Sequence, residues 1–164
     1  MPTRTHSHGF SLVYLLIWLA LAALVWYLIE RVQHPNTLEY IGDAQTVQLK
    51  RGPDGHYTAE ALINGERVRV LVDTGATGVA ISQNVADRLG LKSQDAITAR
   101  TANGNAVAYL VRLKTVQLGG IVAHDVAASI TPGLEGDALL GMSFLGRMDV
   151  RLYQGMMTIK SDAD

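Results

Sequence analysis

The sequence predicts a mostly β domain, a barrel or sandwich with one or two short helices, preceded by one transmembrane helix. Three observations carry this. Residues 10–29 hold no charge. Fourteen of the sixteen glycines lie after residue 50 and punctuate short β-prone runs, the spacing of an all-β fold. Two Asn-Gly pairs, Asn64-Gly65 and Asn103-Gly104, stand between such runs, and both residue types tolerate the positive φ of a tight hairpin turn.

The uncharged run opens at Phe10, closes at Ile29 and reads FSLVYLLIWLALAALVWYLI, 20 residues. At about 1.5 Å per residue it covers a hydrocarbon core roughly 30 Å thick. Tyr14, Trp18, Trp26 and Tyr27 lie towards its ends, where amphipathic rings suit the headgroup level. A buried core helix is the other reading of an apolar run, but here every face is apolar over the full 20-residue span, which favours a membrane. A cleaved signal peptide would have an apolar stretch of about 7–15 residues and small residues at its end. The small residues here, Ala20, Ala22 and Ala23, sit inside the run and bulky side chains follow them. An uncleaved anchor is therefore expected. Arg4 precedes it and Arg31 follows it, so the positive-inside rule gives a near tie for orientation.

The expected organisation is a tail at 1–9, the helix at 10–29, a juxtamembrane linker at 30–55 and a folded domain at 56–164. Pro35, Gly42, Gly52 and Pro53 mark the linker, which has room for one short strand, Thr46–Lys50. The expected strands of the domain are 57–63, 67–73, 79–82, 97–102, 106–118, 121–130 and 156–160. Gly119-Gly120 is a further tight turn. Ser82 can N-cap a helix over 83–89 with Gly90 past its end. A second short helix can follow Gly141 through Phe144 and Leu145.

Composition excludes several functions. Lys plus Arg is 14 against 15 for Asp plus Glu, so no basic excess suggests nucleic acid as a partner. No Cys is present, which removes disulfides, thiolate metal sites and a cysteine nucleophile. The five His are scattered and none in the folded region has ligand spacing. No metal and no cofactor is expected. Ser143 lacks the surroundings of a nucleophile elbow. Met142, Met148, Met156 and Met157 read as core filler.

One segment carries chemistry: Val70-Leu71-Val72-Asp73-Thr74-Gly75-Ala76. A carboxylate directly follows an apolar strand, and a hydroxyl residue and a glycine come next. Asp, Thr and Gly are also common turn residues, so the tripeptide alone is weak. Its setting adds weight, because an Asp buried at a strand end needs partners. Ala138-Leu139-Leu140-Gly141 begins 65 residues on and precedes the second helix. A hairpin around Asn103-Gly104 lies between the two.

Together these residues resemble the retropepsin-type (clan AA) aspartic proteases, in particular single-domain, membrane-anchored bacterial members. The resemblance covers residues 57–160, about two thirds of the chain. It implies a retropepsin-like barrel, with Asp73 as the catalytic residue. Thr74 matches the hydroxyl that braces two catalytic loops against each other. Gly75, with Ala76 after it, matches the place where backbone passes close to substrate. The hairpin tip, Thr101, Ala102, Asn103 and Gly104 through Asn105, matches the flap over bound peptide. Leu139, Leu140 and Gly141 match the segment behind the catalytic loop. The resemblance also implies the bacterial inner membrane, with the C-terminal domain in the periplasm. Retroviral members often carry an acidic residue and an Arg where this chain has Thr77 and Met142, so an ion pair supporting the dimer is expected to be missing.

Peptide hydrolysis by this route needs two carboxylates sharing a proton, because like charges about 3 Å apart do not both ionise. The chain has a single Asp-Thr-Gly. Asp87, Asp95, Asp125, Asp137 and Asp149 lack the following hydroxyl and glycine. A C2 homodimer with Asp73 from each chain supplies the second carboxyl, and a membrane would concentrate the chains. The expected activity is that of an aspartic endopeptidase acting on a polypeptide substrate. Val79, Ile81, Ala102 and Leu139 suggest apolar peptide positions. The alternative is a catalytically silent module of the same fold, used for binding or assembly in the cell envelope. A third reading is an unrelated β fold in which Asp-Thr-Gly is a coincidental turn.

Overall fold

The computed structural model describes residues 9–33, 45–101 and 104–161. The chain divides into two compact units, Met1–Pro35 and Asn36–Asp164.

The first unit is the helix α1, Gly9–Gln33. Its interior is rich in Leu and Ala and free of Pro, which suits a helix. Its side chains are described at 13–29 and all are exposed; they omit the first three residues of the uncharged run. Among the described residues, no helix is long and apolar enough to cross a membrane.

The second unit is built of strands. In order they are β1 (Thr46–Lys50), β2 (Tyr57–Ile63), β3 (Glu66–Val72), β4 (Val79–Ile81), the helix α2 (Gln83–Arg88), β5 (Ala96–Thr101), β6 (Gly104–Leu118), β7 (Ile121–Ile130), β8 (Ala138–Leu140), the helix α3 (Met142–Leu145), β9 (Met148–Tyr153) and β10 (Met156–Ser161). Asn64 and Gly65 join β2 to β3 with φ of 50° and 87°, the signs a type I′ turn demands. The Ser82 side chain accepts from the Val85 N–H at the start of α2, and Gly90 follows the helix with φ 65°.

Seven strands form one sheet in the order β2-β3-β8-β4-β7-β6-β5, and an additional β2–β6 pairing closes it into a barrel. Closure removes free edges, leaving β5 beside β6 as the outer strand. β3 pairs with β8 in parallel and β4 with β7 in parallel. The interior is apolar, with Ile63, Ile81, Leu113, Leu140 and Phe144 fully buried.

β1, β10 and β9 form a separate three-stranded antiparallel sheet. This extends the folded unit beyond the expected start at residue 56. β1 pairs along its whole length with β10 and buries Val47 and Leu49 in the core. Its alternating pattern therefore faces a partner more than 100 residues away in sequence, which no local signal in the linker marks. β1 is the short strand expected at Thr46–Lys50, whereas β8 and β9 are strands that the spacing of β-prone runs does not reveal. Met157 is buried, but Met142 is 44% exposed, so Met142 is not core filler.

Candidate active site

The parallel pairing of β3 with β8 sets Val70, Leu71 and Val72 beside Ala138, Leu139 and Leu140. Both strands end at the same level, and both chains turn there. Asp73 begins the first turn and Gly141 begins the second. The Asp73 N–H donates to the Leu140 carbonyl at 3.0 Å, which ties the two strand ends together.

Asp73 is half-buried. Its Oδ1 accepts from the Gly75 N–H at 2.8 Å, and its carbonyl accepts from the Ala76 N–H at 3.3 Å. An Asp side chain bonding two residues ahead in this way shapes a compact turn. Thr74 and Gly75 are exposed at the tip. The exit of the loop is held by the residues after β8. The Met142 N–H donates to the Ala76 carbonyl at 2.8 Å, and the Ser143 N–H donates to the Thr77 carbonyl at 3.1 Å.

This grip depends on Gly141. A Cβ there would collide with the Gly78 carbonyl oxygen and lie 2.6 Å from that of Ala76. The backbone at Gly141 is extended, with φ −102°, so the glycine is demanded by space and not by conformation.

The structure thus brings Asp73, Thr74, Gly75 and Ala76 together with Leu140 and Gly141. Leu140 is fully buried behind the loop and Leu139 is half-buried. Val79 and Ile81, expected to border a cleft, are instead buried at 1% and 0% exposure. They point into the barrel core and cannot touch a peptide.

The hairpin of β5 and β6 pairs from Ala96↔Tyr109 to Thr101↔Gly104. The Thr101 hydroxyl donates to the Gly104 carbonyl at 2.8 Å, and Gly104 has φ 105°. Of the expected tip, Thr101 to Asn105, Ala102 and Asn103 lie outside the described residues.

Sequence reasoning set Ser143 aside. In the structure its hydroxyl accepts from the Val79 N–H at 2.9 Å and donates to the Ala127 carbonyl at 2.8 Å. The signal that would have found it lies in three dimensions, since its partners stand 64 and 16 residues away. Among the described residues, no cluster of three His, Asp or Glu side chains could hold a metal ion. A surface groove of about 540 Å³, lined by Leu91, Asp95, Leu110 and Arg112 among others, contains none of the Asp73 loop.

A family described as "gag-polyprotein putative aspartyl protease" matches residues 59–147. The chain belongs to this aspartyl protease family. The match takes in the Asp73 loop, the β5–β6 hairpin and the Gly141 turn. In structure the chain is similar to a retropepsin-like aspartic protease from Rickettsia conorii, at 27% identity and a TM-score of 0.62, over 73% of this chain and 93% of that one. The fold is a retropepsin-like β barrel with few short helices. In sequence the chain is 34% identical over 110 residues to an uncharacterized Sinorhizobium protein from the cobV 5′ region, covering 65% of this chain and 47% of the relative. An uncharacterized protein of Rickettsia prowazekii is 32% identical over 102 residues, 60% of this chain and 44% of that one. The chain therefore spans about half the length of the curated relatives it matches.

Proposed function

We propose that the chain is an aspartic endopeptidase, anchored in a membrane by residues 10–29, whose active site forms across a homodimer with Asp73 from each subunit. The observation that carries the reading is the loop itself. One carboxylate per chain stands at the end of β3, its turn is fixed at entry and exit, and Thr74 and Gly75 are exposed beside it. A second copy approaching along that exposed edge completes a pair of carboxyls. One carboxylate then takes a proton from water as the oxygen attacks the scissile carbonyl carbon. The other carboxyl donates its proton to the carbonyl oxygen. Collapse of the tetrahedral adduct breaks the C–N bond, and the amine leaves with a proton.

Incubating the full chain with a denatured protein at mildly acidic pH, with and without a statine-type inhibitor, tests this reading. Cleavage that the inhibitor blocks is the expected result. Absence of cleavage by folded, dimeric protein favours the silent binding module instead.

The support for the anchor is the 20-residue uncharged run with no small-residue cleavage site at its end. Alkaline carbonate should leave the intact chain in the membrane pellet. Release of a shortened chain beginning beyond the run would show a signal peptide. A C-terminal reporter fusion tests the periplasmic placement of the folded unit.

The β5–β6 hairpin acts in this reading as a lid that opens to admit a chain. Gly104 has a positive φ, but a Cβ there would meet none of the described residues within 4 Å. Gly104→Val therefore strains the turn without a clash, by about 1–3 kcal/mol, but at an exposed hairpin end that can open locally to release the strain while the barrel stays folded. Peptidase activity should fall while the melting temperature changes little. Full activity in this variant would mean that the hairpin is not a lid.

A further inference from the structure

We propose that Ser143 is a positioning residue for the Asp73 loop: its hydroxyl is spliced into the β4–β7 ladder and sets how far the loop exit stands from β7. The proposal rests on the reading of Asp73 as the reacting carboxylate.

β4 runs parallel to β7 with Val79 opposite Ala128 and Ile81 opposite Ile130. In a parallel ladder the bonds are slanted, so a residue bonds to the neighbours of its partner and not to the partner itself. At the far end of β4 the rule is obeyed: the Thr131 N–H donates directly to the Ile81 carbonyl at 2.9 Å. Two residues earlier, the same rule would give the Val79 N–H to the Ala127 carbonyl. The Ser143 hydroxyl stands between those two groups. It accepts from Val79 at 2.9 Å and donates to Ala127 at 2.8 Å. A hydroxyl is one donor and also an acceptor, so a single atom satisfies both sides.

Val79 is the first residue after the loop, and the same Ser143 holds Thr77 through its backbone N–H at 3.1 Å. The turn containing Ser143 also grips β7 further along, where Arg147 donates to the His124 carbonyl at 2.8 Å. Ser143 is thus the point at which the loop, α3 and β7 meet. Val79 is 1% exposed, so its N–H cannot turn to water if the hydroxyl is lost. Two outcomes remain in Ser143→Ala. Either the Val79 N–H stays unpaired while the carbonyl of the exposed Ala127 turns to water, or the ladder closes directly and replaces two bonds in series by one of about 2.9 Å. Both displace Thr77 and Gly78, and through the Ala76 N–H bond to the Asp73 carbonyl they reach the carboxylate. A displacement of about 1 Å at a reacting group can cost roughly 10²-fold in rate.

The test compares the full chain in detergent as wild type, Ser143→Ala, Ser143→Thr and Asp73→Asn. Competent sites are counted by titration with a tight statine-type inhibitor, so that a loss of folded protein does not count as a loss of rate. Ser143→Ala should lower kcat per competent site by roughly 10²-fold with KM little changed, and Ser143→Thr should recover most of it. Amide exchange at Val79 should quicken in Ser143→Ala, with changed environments over residues 74–78, and both should return in Ser143→Thr. Ser143→Cys bonds weakly through sulfur and serves if Ser143→Ala does not fold; it should show the same changes in smaller size. Wild-type exchange and kcat in Ser143→Ala or Ser143→Cys, or a Ser143→Thr chain as slow as Ser143→Ala, would overturn the proposal. If the wild type cleaves nothing, the peptidase reading fails, and the exchange measurement alone still decides the role of Ser143.

Discussion

Asp73→Asn is expected to abolish peptide hydrolysis while leaving the fold in place. Asn has nearly the shape of Asp, and its Oδ1 can still accept the Gly75 N–H that now bonds to Asp73 at 2.8 Å. The turn that carries the residue therefore survives. In the proposed dimer the change removes both carboxyls at once, so neither the base nor the acid remains, and the rate should fall by at least about 10³-fold. Stability should hold, because the amide keeps the shape of the side chain and the hydrogen bond that closes its turn. Activity assays and thermal melts on the same preparation check both halves. A variant that still cleaves would place the chemistry elsewhere, and one that unfolds would give Asp73 a structural role instead.

Gly141→Ala is expected to have the opposite profile, losing stability and activity together. The added methyl would press on the carbonyl oxygens of Gly78 and Ala76, the latter at 2.6 Å. Those oxygens belong to backbone, and no rotamer relieves the contact. Overpacking of this kind costs about 3 kcal/mol, against a typical total of about 5–15 kcal/mol. The melting temperature should drop by roughly 10 °C or more. The residual folded protein should also be slow, since the bonds from Met142 and Ser143 to the loop must shift. Gly133 is the control: a Cβ there meets nothing within 4 Å and no positive φ is required. Gly133→Ala should stay within about 0.5 kcal/mol of wild type. Equal melting temperatures for the two variants would show that the loop and the Gly141 turn are not held at this spacing.

Much of the domain is legible because its turns and caps are local. Asn64-Gly65 marks the β2–β3 hairpin, and Ser82 with Gly90 brackets α2, since each depends on two or three neighbouring residues. Asp73-Thr74-Gly75 and Leu139-Leu140-Gly141 are visible as motifs for the same reason. What is not legible is what couples distant segments. β1 looks like part of a tether until β10 is placed beside it. β8 is three residues long, and pairing with β3 and β4 on its two sides makes it a strand. Val79 and Ile81 read as bordering a cleft because they follow the loop, but the alternation of β4 turns both inward. Ser143 has a role only because the barrel brings Val79 and Ala127 to its hydroxyl.

The shared carboxyl pair is the central claim, and mixing chains tests it most directly. Wild-type and Asp73→Asn chains are combined in varying proportion at constant total concentration and allowed to exchange partners. If each active site needs Asp73 from two chains, activity follows the square of the wild-type fraction, about one quarter at equal mixing for random C2 pairing. If activity instead equals or exceeds the wild-type fraction, about one half to three quarters at equal mixing, one carboxyl is enough and the account of a dyad across the dimer is wrong.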